Sequence, residues 1–386
     1  MTLKIAHIIN DEKFPDAAHS AFEAVFPCQN VFIIFSNQKS LKFIKRISPK
    51  IYSPFYLYSR FFIQKITHAD IVVFHGMDRN KLRILRALPK NTKTIWLGWG
   101  YDYYDLTELP LHKEKTTEVV STAKTTAKTT AKAQLKTLIK KLIKPEPNKK
   151  KLINKVNVFS PVLYEDFELV KKAIPNFTPK YASWNYGTLE DDLIRGFEGK
   201  TITGNNILLG NSASYTNNHL DAFDSLSALD LNGKKIITPL SYGDIDYRNL
   251  IVSEGHKKFG DTFVPLIDFM PIDEYIAVLQ SCSIVVMNHL RQQALGNIVI
   301  ALYLGAKVFL DKRNPIYQFF IKNDAYIYCL EELEAQMQEN LTGEQIDRNR
   351  RVLQNYWSRD VILQKTKNIV DSAINIENDN TAKHSV

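Results

Sequence analysis

Between Cys282 and Asp311 the chain reads CSIVVMNHLRQQALGNIVIALYLGAKVFLD, and this stretch constrains the fold more than any other. Ser283 to Met287 is a β-branched run with the length of a buried parallel strand. Ile298 to Leu304 is apolar without alternation and stops at Gly305, as a helix stops at a C-cap glycine. Lys307 to Leu310 is a second short strand-like run. Strand, polar loop, helix and strand in that order make a crossover unit of a parallel sheet. A helix beginning near Gly296 and Asn297 would turn its free N–H groups and positive dipole end toward the loop RQQALGN, a setting suited to a diphosphate. Gly296 lets a ligand approach the backbone, and Arg291 adds a charge-assisted contact. A plain crossover with a polar loop satisfies the same pattern.

The rest of the chain repeats the theme in two halves. Leu3 to Ile9, Val31 to Phe35, Ile71 to Phe74, Thr94 to Leu97 and Val156 to Phe159 read as buried strands, with helical material such as Lys81 to Leu88 between them. In the second half the strands are Asn206 to Leu209, Lys235 to Thr238, Phe263 to Leu266, Ser283 to Met287 and Lys307 to Leu310. Helices Asn218 to Leu229, Arg248 to Phe259, Ile272 to Gln280 and Ile298 to Leu304 fill the intervals. The expectation is an α/β protein of two doubly wound, Rossmann-like domains facing a cleft, since 386 residues exceed one ordinary core. The first spans 1–180 with an insertion at 112–151, a connection covers 181–205, the second spans 206–376, and 377–386 is a disordered tail.

That insertion holds the charge. His112 to Lys151 contains twelve Lys, no Arg and three Glu, so its net +9 equals that of the whole chain. TTAK nearly repeats at Thr122 to Lys132, which reads as a flexible arm, and a helix follows with Leu135, Leu138, Ile139, Leu142 and Ile143 opposite Lys136, Lys140, Lys141 and Lys144. A basic amphipathic helix can lie on an anionic bilayer, or pack on its own domain with a solvated lysine face. Nucleic acid is disfavoured as a partner, because the segment lacks Arg and aromatic residues for base readout or stacking. No apolar run is long enough to span a bilayer, and the start reads as a strand rather than a secretory signal, which predicts a cytoplasmic protein. Cys28, Cys282 and Cys329 are widely spaced and read as small buried side chains, with neither disulfides nor structural zinc expected.

Doubly wound sheets bind ligands beyond the carboxyl ends of their strands. On that edge the second half offers Gly210, Asn211 and Ser212 in GNSASYTNNH, Tyr242 in PLSYGD, IDFMPIDEY, and Arg291, Gln292, Gln293, Gly296 and Asn297. The first half offers His75 at the end of IVVFHG and Asp102 in WLGWGYDYY, where aromatic rings and a carboxylate suit a sugar. A buried histidine and a turn-capping aspartate are the plainer readings. Asp11 and Asp16 are weaker candidates for a base. Asp244-Ile245-Asp246 has the spacing of a metal pair but falls at a helix start, so no metal and no cofactor are expected.

LLGNSASYTNNH at 208–219, PLSYGD at 239–244, RQQALGNIVIALYLGAKVFLDKRNPIYQ at 291–318, FHG at 74–76 and WGYDYYDL at 99–106 together resemble the bacterial 4-acetamido-4,6-dideoxygalactose transferases of enterobacterial common antigen synthesis, glycosyltransferase family 56. The resemblance implies a GT-B fold and a peripheral enzyme of the cytoplasmic face of the inner membrane. It further implies a TDP-sugar donor and a polyprenyl-diphosphate-linked saccharide acceptor. The lysine insertion, the loop NDEKFPDAAH and the end of PLSYGD depart from the family pattern, which leaves the acceptor and the sugar open. The donor would then be held by the second-half residues named above, and in an inverting reaction Asp102 or His75 would deprotonate the acceptor, a base that a retaining reaction does not need. A glycosyltransferase with another nucleotide sugar, and a non-catalytic nucleotide or sugar-binding protein, fit the same loops.

Overall fold

The computed structural model describes residues 3–38, 40–127 and 148–375. They fall into two compact units, one made of Met1–Glu108, Lys144–Asp192 and Tyr356–Val386, the other of Leu109–Ile143 and Leu193–Asn355.

The first unit is built on seven parallel strands: β1 (Ile5–Ile9), β2 (Asn30–Phe35), β3 (Lys50–Tyr52), β4 (Ile71–His75), β5 (Lys93–Leu97), β6 (Val158–Ser160) and β7 (Lys180–Tyr181). Their order is β3-β2-β1-β4-β5-β6-β7. The second has six parallel strands, β8 (Asn206–Leu209), β9 (Ile236–Pro239), β10 (Phe263–Leu266), β11 (Cys282–Met287), β12 (Lys307–Leu310) and β13 (Tyr328–Cys329), ordered β10-β9-β8-β11-β12-β13. The central strands β1, β4 and β11 are buried along their whole length, which explains why they read as continuous apolar runs rather than alternating ones. In each sheet the order reverses between two central strands, β1 and β4 or β8 and β11, and these switch points open the chain for a ligand.

The expected strands are all present, and β8, β10 and β12 keep their predicted bounds. Three strands went unread, β3, β7 and β13, each only two or three residues long and at or next to a sheet edge, too short to impose a pattern. Cys28 was expected to be buried and is exposed, in a positive-φ turn (φ 60°) after the first helix, Pro15–Val25. The unit boundaries also differ from those read in the sequence. The last helix, Arg359–Ile374, packs on β5, β6 and Pro15–Val25 of the first unit, where Trp184 Nε1 donates to Thr366 Oγ1 at 2.8 Å.

The start of the lysine-rich insertion belongs to the second unit, not the first. Its helix, Glu114–Ala127, runs into the TTAK repeats that were read as an arm. Asp221 of helix His219–Ser227 accepts from the backbone N–H groups of Lys115 and Thr116 at 3.0 and 3.2 Å, so one helix caps the other. Lys113 Nζ pairs with Asp311 at 2.8 Å, and Lys115 pairs with Asp224. The predicted amphipathic helix near 135–144 and the tail 377–386 lie outside the described residues. Among the described residues no helix is long and apolar enough to cross a membrane.

Candidate active site

In the second unit the loops after β8, β9 and β11 are tied together by side chains. Gln293 Nε2 donates to Asn211 Oδ1 at 3.0 Å, Asn211 Nδ2 donates to the Tyr242 hydroxyl at 2.9 Å, and Thr216 Oγ1 donates to Gln293 Oε1 at 2.6 Å. Three sequence candidates from three loops therefore form one polar line at the switch-point edge. Tyr242 stays 61 % exposed, and its ring is free to cover a flat ligand face.

Beneath this line lies a buried scaffold that the sequence reading missed. Asn217 Nδ2 donates to Ser212 O at 2.9 Å, so its Oδ1 is the acceptor, and it receives Asn211 N at 3.0 Å and His289 Nε2 at 2.7 Å. This fixes His289 as the Nε2–H tautomer. Asn218 and Asn288 exchange amide-to-carbonyl bonds at 3.0 and 2.9 Å, and Asn314 Nδ2 holds the carbonyls of His289 and Arg291 at 2.9 and 3.0 Å. A buried asparagine can serve donor and acceptor at once, which is why NNH, NH and N recur at these loops. Gly210 is required by this packing: at φ +67° a Cβ would stand 2.7 Å from His219 Nε2 and 2.8 Å from Asn217 Oδ1. Ser212 is 3 % exposed and holds the turn from within.

The helix after β11 starts at Leu295, one residue before its expected start, behind Ala294 in the left-handed region (φ 58°) with no side-chain cap. Its first N–H groups and dipole end are available to an anion. A Cβ at Gly296 would meet nothing nearer than Leu193 Cδ2 at 3.9 Å, so internal packing does not demand the glycine. Asn297 Nδ2 donates to the Tyr275 hydroxyl at 3.2 Å. Asp244 is a helix N-cap, accepting from Tyr247 N at 2.8 Å, as its position in the sequence suggested.

In the first unit the candidates are buried and fully engaged. Asp102 accepts from Trp96 Nε1 at 2.7 Å and Met77 N at 2.8 Å on one oxygen, and from Trp99 N at 2.7 Å on the other. It pins the loops after β4 and β5 together. Burial raises its pKa, against the pull of these N–H donors. Asp11 and Asp16 do similar work, receiving the backbone N–H groups of residues 42–44 and 45–47.

His75 belongs to a buried chain. Asn30 Nδ2 donates to Glu23 Oε1 at 2.9 Å and to Phe26 O at 2.7 Å, so Asn30 Oδ1 accepts from His7 Nε2 at 3.1 Å. His7 Nδ1 must then accept from His75 Nε2 at 3.0 Å, and His75 Nδ1 accepts from the Tyr186 hydroxyl at 2.9 Å. Burial lowers the pKa of both histidines, His7 to about 3. Neither His7 nor Tyr186 was a candidate, since no local pattern joins residues so far apart in sequence.

Replacing Asp102 by Asn is expected to cost about 1–3 kcal/mol, because the new amide must face an N–H donor. Thermal unfolding checks this, and an unchanged midpoint would contradict the pinning role.

Two parallel-sheet Rossmann-like units define a GT-B fold. Solved structures agree in architecture: sucrose-phosphate synthase of Thermosynechococcus elongatus (TM-score 0.61, 7% identity, 96% of this chain and 99% of that one) and Anabaena HepE in complex with UDP and glucose (0.61, 10%, 96% and 100%). A trehalose-6-phosphate protein of E. coli bound with UDP-2-fluoro glucose also matches (0.61, 12%, 96% and 99%). The fold and the partial family match together support a glycosyltransferase. Residues 193–358 match the model of the 4-alpha-L-fucosyltransferase family, glycosyl transferase group 56. The match nearly coincides with the Leu193–Asn355 part of the second unit, the one bearing the Asn211–Gln293–Tyr242 line.

Proposed function

We propose that the protein transfers an acetamido-dideoxy sugar from a TDP-sugar to a polyprenyl-diphosphate-linked saccharide. The observation that carries this reading is the uncapped helix start at Leu295 beside Arg291 and the bare Gly296, within the span matched by the family. In the proposed reaction the N–H groups and Arg291 stabilise the departing nucleoside diphosphate as negative charge grows on it. Gly210, Asn211, Ser212, Tyr242, Gln292, Gln293 and Asn297 shape and bound the donor site.

The acceptor hydroxyl loses its proton to a group of the first unit. Asp102 suits this better than His75, because burial raises the carboxylate pKa and lowers the histidine pKa, and a base works best near neutrality. Each would exchange one protein hydrogen bond for the acceptor. The lysine-rich segment is proposed to face the anionic membrane that holds the acceptor. Lys113, Lys115 and Lys149 take little part in that, being paired with Asp311, Asp224 and Asp105.

Thermal stabilisation by TDP, UDP, GDP and ADP tests the donor. A nucleotide present at 100 times its dissociation constant should add about 2.7 kcal/mol. Selective stabilisation by TDP is expected; none by any diphosphate would remove the donor assignment. Release of TDP only when an acceptor is added separates a transferase from a non-catalytic binder.

A further inference from the structure

From Ala24 to Ala69 the chain has no Asp or Glu, yet it holds seven Lys and Arg and ten Phe and Tyr. The latter half of this stretch folds in the first unit as two short helices, Pro54–Tyr58 and Arg60–Ile66. Ser53 and Ser59 cap them, accepting from Phe55 N and Phe62 N. Leu57 and Ile63 are buried, 4 % and 2 % exposed, and the two helices pack on each other and on helix Arg79–Ala87. On the outside Phe55, Tyr58 and Phe61 are 74 %, 59 % and 68 % exposed, three rings spaced three residues apart. Arg83 lies over the Tyr58 ring at 5.1 Å, and Arg60 and Lys65 are exposed with no ion pair among the described residues. Beside the helices is a cavity of about 320 Å³, lined by the apolar side chains of Ala6, Val31 and Ile33 and by Lys4, Lys50 and Lys65.

We propose that this face docks on the surface of an anionic phospholipid bilayer, the rings of Phe55, Tyr58 and Phe61 entering the headgroup region and the lysine-lined cavity receiving a headgroup phosphate. Exposed phenylalanines have no polar edge to satisfy in water, and an interfacial layer takes both the rings and the cations around them. The seven Lys and Arg over Ala24 to Ala69, with no acidic residue among them, supply the charge complementarity, and they outnumber the carboxylate that borders the cavity, Asp70, which accepts from Lys4 N at 2.8 Å. A headgroup phosphate over an apolar floor matches a cavity with lysines and aliphatic walls. The inference does not depend on the reaction proposed above, and it rests on residues other than those of the lysine-rich segment.

The test is co-sedimentation of the full-length protein with vesicles of phosphatidylcholine alone and of phosphatidylcholine mixed with phosphatidylglycerol. Binding is expected only to the mixed vesicles and should weaken with salt. The double variant Phe55→Ser, Phe61→Ser is expected to bind about tenfold or more weakly with an unchanged melting temperature, as both side chains are already exposed. Lys50→Glu, Lys65→Glu is expected to abolish the preference for phosphatidylglycerol. Equal binding by parent and variants would overturn the proposal, as would a self-association seen in sedimentation velocity that the phenylalanine variant loses while vesicle binding persists. Turnover with a soluble acceptor should be the same in parent and phenylalanine variant, so failure of the reaction and failure of the surface are read apart.

Discussion

Lowering the pH from 7 to 5 is expected to melt the second unit before the first. Among the described residues four histidines are fully buried: His7 and His75 in the first unit, His219 and His289 in the second. Burial lowers the pKa of His7, His219 and His289 to about 3 and that of His75 well below its ordinary value. A histidine whose folded pKa is lowered costs nothing above about 6.5, where both states are neutral. Below that the unfolded chain takes up the proton and the folded one does not, so stability falls with pH. At pH 5 each of His7, His219 and His289 costs about 2 kcal/mol, so the second unit loses about 4 kcal/mol, and His75 adds a loss of the same sign in the first, against a total of about 5–15 kcal/mol for an ordinary domain. The first unit has an opposing group. Burial raises the pKa of Asp166 to about 7, so the folded form gains a proton as the pH drops and recovers about 2–3 kcal/mol. In the second unit Asp311 lies the other way: hydrogen bonds from Arg313 and Lys113 outweigh burial and hold it below the usual range, adding a further loss in stronger acid. All four tryptophans, Trp96, Trp99, Trp184 and Trp357, lie in the first unit. Tryptophan fluorescence therefore follows that unit alone, while far-ultraviolet circular dichroism follows both. The dichroism transition should begin at higher pH than the fluorescence change; coincident transitions, or none down to pH 4.5, would refute the assignment.

The residues that carried the fold in the sequence were those with local consequences. Val285 and Val286 mark a strand wherever they stand, and Gly305 ends a helix by its own backbone, here at φ +94°. The donor-side loops were legible for the same reason, because a glycine or asparagine after an apolar run signals a turn at a strand end. What they do there was not. Asn211, Tyr242 and Gln293 meet only through parallel pairing of β8 with β9 and β11, a register no single segment encodes. The His7–His75–Tyr186 chain is hidden in the same way, its members brought together by β1 beside β4 and by the segment after β7. Asp102 stood out among its aromatic neighbours, but the three donors that fill it come partly from backbone at Met77 and Trp99, which no side-chain pattern reveals. The lysine-rich insertion attracted attention by its charge, while the acid-free stretch before Asp70 did not, since its +7 is balanced elsewhere in the chain.

Arg291→Ala is expected to lower kcat/KM by about 10²–10³, the loss found when one preorganised group is removed from a developing anion, equivalent to about 2.7–4 kcal/mol of transition-state stabilisation. The size follows from where the residue sits. Its carbonyl is held by Asn314 Nδ2 at 3.0 Å, and the helix start at Leu295 lies four residues further on. The backbone that presents the guanidinium is therefore fixed before the donor arrives, and little reorganisation is left for the reaction. Arg291→Lys keeps the charge but loses the planar fork that grips two phosphate oxygens, so it should fall between parent and alanine variant. The division between kinetic constants identifies the step. If Arg291 acts on the leaving diphosphate, kcat falls while the donor KM stays near its original value; if it only grips the donor, KM rises at constant kcat. TDP stabilisation should also shrink in the alanine variant, by the logarithm of its lost affinity. Unchanged kinetics together with unchanged TDP stabilisation would move the diphosphate away from this loop, leaving the GT-B fold and the family match over residues 193–358 intact but the donor site without its cation.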